Sequence, residues 1–204
     1  MKKFFKVLFI MRYYLLSILI VTIILALLDI FVFLRNYHAL YIILLITVSV
    51  LSVILIDGMT ALFIHKLPRH LFNPERFKEY KWEKKFYQFI KIKKWKDKIP
   101  EIGELTCDFS KSKIQELDDP NYILMFLQEM GYAEVIHFLS CPLGFLIIFV
   151  IPLNLELFLA ISLPVALINT FYNLLSALIQ RYNRPKLERF YKRQLQLQVR
   201  KEKQ

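Results

Sequence analysis

An all-α integral membrane protein, with four transmembrane helices and a basic interfacial segment between the second and third, is the fold class this sequence predicts. Two observations carry it. The hydrophobic residues, 56% of the 204, are gathered into four long runs. The 28 Lys and Arg fall almost wholly outside those runs. Crossing a hydrocarbon core of about 30 Å takes about 20 helical residues, and a backbone in lipid must satisfy its own hydrogen bonds, so each run is a helix.

Residues 13–34 form the first run, 22 residues whose only charge is Asp29. A secretory signal peptide is the rival reading, but the run is long for one and Arg35-Asn36-Tyr37-His38 offers no small-residue cleavage site. Residues 39–56 add 18 without a charge and complete an N-terminal hairpin over 1–57. A second hairpin occupies 135–180, with spans at 135–153 (19 residues, His137 near the start) and 157–179 (23 residues, no charge).

Charge sets the expected orientation. Lys2, Lys3, Lys6 and Arg12 precede the first span, 14 basic residues lie in the central segment 58–134, and nine lie in the tail 181–204. The loop after the first span holds Arg35 alone. With 27 of the 28 on one side, the positive-inside rule puts both termini and the central segment in the cytoplasm. The net charge of +11 then describes an inner face suited to anionic lipids, phosphates or an acidic carrier protein, and not to nucleic acid. Cys107 and Cys141 have no CxxC or Cys/His spacing that suggests zinc, and a reducing compartment argues against a disulfide, so neither metal nor bound cofactor is expected.

The central segment reads as structured. Over 77–95, Trp82, Phe86, Phe89, Ile90 and Ile92 alternate with lysines at helical spacing, which predicts a basic amphipathic helix lying in the membrane interface or serving as an interaction surface. Pro100, Glu101 and Gly103 break it. Asp118-Asp119-Pro120 reads as a helix start, an Asp cap with Pro at the first position. From there the chain is expected to run helically into the third span, loosened at Gly131. In the fourth span Asn169, Asn173, Ser176 and Gln180 share one face, either for interhelical hydrogen bonds or as a polar cleft.

Glu134 and His137 are the best candidates for chemistry. Three residues apart on a helix, they project from nearly one face, and a carboxylate can fix an imidazole's tautomer and raise its basicity, as a general base needs. An interfacial Glu and His that merely end a span are the plain alternative. Asp57-Gly58 and Ala61 suggest the opening of a phosphatidyl-alcohol transferase motif, but Leu62 stands where Arg is required and no spaced aspartates follow. His70 and Glu75 have an acyltransferase-like spacing that Asn73-Pro74 interrupts. His38 and His65 suggest no role beyond the two interfaces.

Three stretches, Lys94-Trp95-Lys96-Asp97-Lys98-Ile99-Pro100, Ala133-Glu134-Val135-Ile136-His137-Phe138 and Gln180-Arg181-Tyr182-Asn183-Arg184-Pro185, resemble in this order the glycosyl-4,4'-diaponeurosporenoate acyltransferases of carotenoid-making bacteria. Leu67-Pro68 and the aromatic-basic run 82–87 fit too, and the resemblance covers roughly 64–190, behind two additional spans. It implies a multi-pass protein of the bacterial cell membrane that esterifies a fatty acyl chain onto the sugar of a membrane glycolipid at the inner leaflet. The co-substrate would be acyl-CoA, acyl carrier protein or acyl phosphate. Under that reading His137 takes the acceptor hydroxyl's proton with Glu134 orienting it, Arg181 and Arg184 bind donor phosphates or support the site, and Asn183 donates to the developing oxyanion. Lys96 attracts the donor and Trp95 anchors or stacks. Charge anchoring is the alternative for the basic residues, and a helix stop the alternative for Asn183-Arg184-Pro185. A non-enzymatic interaction or immunity protein is the alternative for the whole chain.

Overall fold

The computed structural model describes residues 2–96 and 119–202. Pro100, Glu101, Gly103, Cys107, Asp118 and residues 97–100 of the Lys94-to-Pro100 stretch lie outside them. The described residues are mainly helical, and none of them is in a strand. The helices are α1 (Lys2–Leu28), α2 (Ala39–His65), α3 (Lys81–Phe89), α4 (Ile92–Trp95), α5 (Pro120–Leu143), α6 (Leu155–Leu157) and α7 (Leu163–Glu202). Four stretches are long and apolar enough to cross a membrane: Leu15–Phe33, Ala39–His65, Pro120–Phe149 and Leu155–Arg200. Four helices of membrane-spanning length and composition thus fall where four spans were expected.

Two compact units are distinguishable, Met1–Phe63 with Ile136–Leu175, and Ile64–Val135 with Ser176–Gln204. In the first, one core joins Leu34, Ile42, Leu45 and Ile46 to Ile151, Leu157 and Ile161, and another joins Val53 to Ile147, Val165 and Ala166. Dispersion and close fit hold such contacts in lipid, where the hydrophobic effect between helices is absent. The first span ends in a π-helical turn, Asp29–Phe33. Asp29 is fully buried there, and neither carboxylate oxygen has a hydrogen-bond partner among the described residues. The third span tightens into 3-10 geometry over Gly144–Phe149, where a continuous helix to 153 was expected. Pro142, lacking an N–H, stands just before the change. Asn154 caps α6, its Oδ1 accepting from the Glu156 and Leu157 amides at 2.8 and 3.4 Å.

The second unit is cored by Ile123, Phe126, Leu127 and Met130 of α5 against Leu187 of α7. Asp119 caps α5, its Oδ1 accepting from the Asn121 amide at 2.9 Å, with Pro120 at the first helical position. The stretch after α2 docks on α5: Tyr132 stacks on Phe72 and on His65, its hydroxyl donating to the Leu67 carbonyl at 2.6 Å. Gln128 donates to Asn73 Oδ1 at 2.8 Å. Gly131 does not loosen α5, which passes through it unbroken. A Cβ there would stand 3.0 Å from Phe72 Cβ and 3.3 Å from Arg184 Nη2, so glycine admits a close approach.

The expected helix over 77–95 is two. Lys91 adopts a left-handed conformation (φ 51°), separating α3 from α4. α3 turns Glu83 and Tyr87 inward and leaves the Trp82 and Phe89 rings on its outer face. Beyond the fourth span no stop occurs at Asn183-Arg184-Pro185. Pro185 forfeits one backbone hydrogen bond, yet α7 continues to Glu202 because Leu187 packs into the α5 core.

Candidate functional site

In the first unit, His137 of α5 faces the polar stripe of α7. Its Nδ1 lies 2.8 Å from Asn173 Oδ1. Asn173 is buried, and its Nδ2 donates to Asp57 Oδ2 of α2 at 2.9 Å, to the Asn169 carbonyl at 3.1 Å and to Asn169 Oδ1 at 3.2 Å. Asn169 Nδ2 reaches Asp57 Oδ1 at 3.4 Å. The His137 backbone is tied in as well: Cys141 Sγ donates to its carbonyl at 3.3 Å, and Thr170 Oγ1 donates to the Cys141 carbonyl at 3.1 Å. Asn169 and Asn173 thus make interhelical hydrogen bonds, the first of the two readings their spacing allowed. A cavity of about 80 Å³ lies against Thr22, Asp57, Asn169 and Tyr172, its other walls being apolar side chains such as Leu25, Val53, Ile54 and Val165.

The second unit holds a cluster of two carboxylates and two guanidinium groups. Arg181 Nη1 donates to Glu134 Oε1 at 2.5 Å, and Arg181 Nη2 donates to Glu83 Oε1 at 2.7 Å and to the Lys78 carbonyl at 3.1 Å. Arg184 is 1% exposed. Its Nε is 3.3 Å from Glu134 Oε2, an ion pair without hydrogen-bond geometry, and its guanidinium lies 4.1 Å over the Phe77 ring. Glu83 also accepts from the Tyr80 amide at 3.1 Å and the Tyr87 hydroxyl at 3.0 Å. Burial pushes the Glu83 carboxyl up, but the bonds from Arg181, the Tyr80 amide and Tyr87 outweigh it and hold the group below the ordinary carboxylate range. Burial and the Glu83 carboxylate push the Tyr87 hydroxyl well up.

The sequence profile of the glycosyl-4,4'-diaponeurosporenoate acyltransferases matches residues 68–193. The chain belongs to this family. Over 126 residues it is 32% identical to the protein named glycosyl-4,4'-diaponeurosporenoate acyltransferase of Staphylococcus haemolyticus (strain JCSC1435), a match covering 56% of this chain. The chain spans 65% of that relative's length. No solved structure matches it. The acyltransferase match takes in Glu83, Glu134, His137, Asn173, Arg181 and Arg184, and leaves out Asp57.

Within this acyltransferase-family chain, the residues singled out by sequence meet different partners. Both Glu134 oxygens are engaged by Arg181 and Arg184, while the orienting partner seen on His137 Nδ1 is Asn173. Trp95 is half-buried, its indole N–H donating to the Ile90 carbonyl at 2.9 Å, which closes the turn between α3 and α4. Lys96 and Asn183 are half-buried. Sequence reasoning missed Glu83, hidden among lysines, and passed over Asp57. The available signal for Asp57 was an ionisable residue directly after an uncharged apolar run, in a chain with an asparagine stripe on another span.

Proposed function

We propose that the chain transfers a fatty acyl group to a hydroxyl of a membrane glycolipid at the inner leaflet, with His137 as general base. The 2.8 Å pairing of His137 Nδ1 with Asn173 Oδ1, in a chain of an acyltransferase family, is the observation that carries this reading. An imidazole held at Nδ1 presents Nε2 as its basic nitrogen. In the proposed step the acceptor O–H gives its proton to Nε2 as the oxygen attacks the acyl carbonyl. A new ester C–O bond forms, and the thiolate or phosphate of acyl-CoA, acyl carrier protein or acyl phosphate departs. An amphipathic donor, tail in lipid and phosphorylated head in water, suits a protein whose basic residues all but one lie on one expected face. The cytoplasmic placement of both termini belongs to the same proposal.

Arg181, Arg184, Asn183, Lys96 and Trp95 are proposed for the donor head and its charge. The paired state of Arg181 refines this role, since a phosphate must displace Glu83 or Glu134 to reach it. Glu134 is accordingly proposed as the anchor that holds Arg181 in place, with the buried Arg184 supporting it from behind.

The test is purified protein in detergent, given labelled acyl donor and a glycolipid acceptor. His137→Gln is expected to cut transfer by about 100-fold or more while the helical content and Tm hold. An unchanged rate would remove the general base from the proposal and favour a binding protein.

A further inference from the structure

We propose that Asp57 is a positioning residue: through the Asn173 amide it fixes His137 as the Nδ1–H tautomer. The inference rests on the reading of His137 as general base and adds the group that prepares it. Asn173 Nδ2 donates to Asp57 Oδ2 at 2.9 Å and to Asn169 Oδ1 at 3.2 Å, so the NH2 edge of the amide is turned to these oxygens. The Asn169 carbonyl, 3.1 Å from the same nitrogen, demands the same orientation. Asn173 Oδ1 is then the edge turned to His137, and at 2.8 Å it accepts from Nδ1–H. A neutral imidazole carries one proton, so Nε2 is left with the lone pair that takes the acceptor's proton. Were the amide reversed, its NH2 would donate to Nδ1 and place the ring proton on Nε2, the wrong tautomer for a base at that nitrogen.

The surroundings support a dedicated device. Asp57 stands inside α2, a helix apolar enough to cross a membrane, where an ionisable residue is expensive, and its two oxygens are met by the Asn169 and Asn173 amides. The apolar walls beside Asp57 lower the local dielectric and strengthen its bonds. Gly144 makes room for the relay, because a Cβ there would stand 2.6 Å from Asn169 Nδ2. Asp57 also lies outside the stretch shared with the family, which gives the N-terminal hairpin a part in preparing a residue it does not contain.

Nitrogen-15 NMR of full-length protein labelled on histidine nitrogens reads the tautomer directly, with His137→Gln identifying the signal. Wild-type His137 is expected as Nδ1–H. In Asp57→Ala the population should shift toward Nε2–H, with kcat down about 10-fold or more and KM little changed, while Asp57→Asn, which keeps an acceptor oxygen, recovers part of both. In the Asn173→Leu background, Asp57→Ala should cost nothing further. An Nε2–H wild type would overturn the proposal without any variant at 57, and so would an unaltered tautomer in a folded Asp57→Ala. Because the spectrum does not depend on turnover, the two readings fail separately. If His137→Gln retains full transfer while Asp57 still governs the tautomer, the general-base reading fails and the positioning stands.

Discussion

Glu83 shows how one residue can organise a cluster and remain hard to read in a sequence. It stands in a lysine-rich stretch, where a lone carboxylate looks like a solvated charge. In the structure it is 1% exposed and binds Arg181, the Tyr80 amide and the Tyr87 hydroxyl. Removing one partner of a buried pair is costly, so Glu83→Gln is expected to lower stability by about 3 kcal/mol at neutral pH. The pH dependence follows from the depressed carboxyl. Its contribution is complete above the ordinary value of 4.5 and is lost as pH falls through the lower folded value. Thermal unfolding of wild type and Glu83→Gln in detergent should therefore show a Tm gap that is constant above pH 4.5 and closes below it. A gap unchanged by acid would mean that the charge contributes nothing. His137 was legible as a candidate because few side chains titrate near neutrality. Its partner was not, because Asn173 and Asp57 are respectively 36 and 80 residues away and only packing brings three helices together.

At the scale of elements, helix starts proved more readable than helix ends. Asp119 and Pro120 mark the beginning of α5 by local chemistry alone, and the structure places the cap there. Asp119→Ala should cost about 1 kcal/mol and Asp119→Asn much less, measured as the shift in Tm. Equal losses for both would show that the cap is not the working interaction. Pro185 misleads for a physical reason. A proline inside a helix costs about 3 kcal/mol, which makes a stop the sensible expectation, but burial of Leu187 against α5 offsets it. Lys91 misleads in the other direction. Nothing about a lysine announces a left-handed residue, and the turn it makes splits a lysine-aromatic pattern that is periodic on both sides.

For the whole molecule, blocked hydrophobicity was enough to find the four helices long and apolar enough to cross a membrane, since the length needed in lipid is fixed by bilayer thickness and owes little to tertiary detail. Orientation is an expectation of charge placement, and it can be checked in cells. With Cys107 and Cys141 replaced by serine, Asn36→Cys should react with a membrane-impermeant thiol reagent added outside, and Lys91→Cys only after lysis. The reverse pattern would deny the proposed site its activated acyl donors. The arrangement of α3 has a practical corollary. With its carboxylate turned inward and the Trp82 and Phe89 rings left 61% and 83% bare, the helix resembles a soluble one turned inside out. A fragment trimmed to the extramembrane residues would carry that sticky strip into water, so expression of the middle segment alone should yield inclusion bodies, and purification will depend on how well the detergent belt wraps α3.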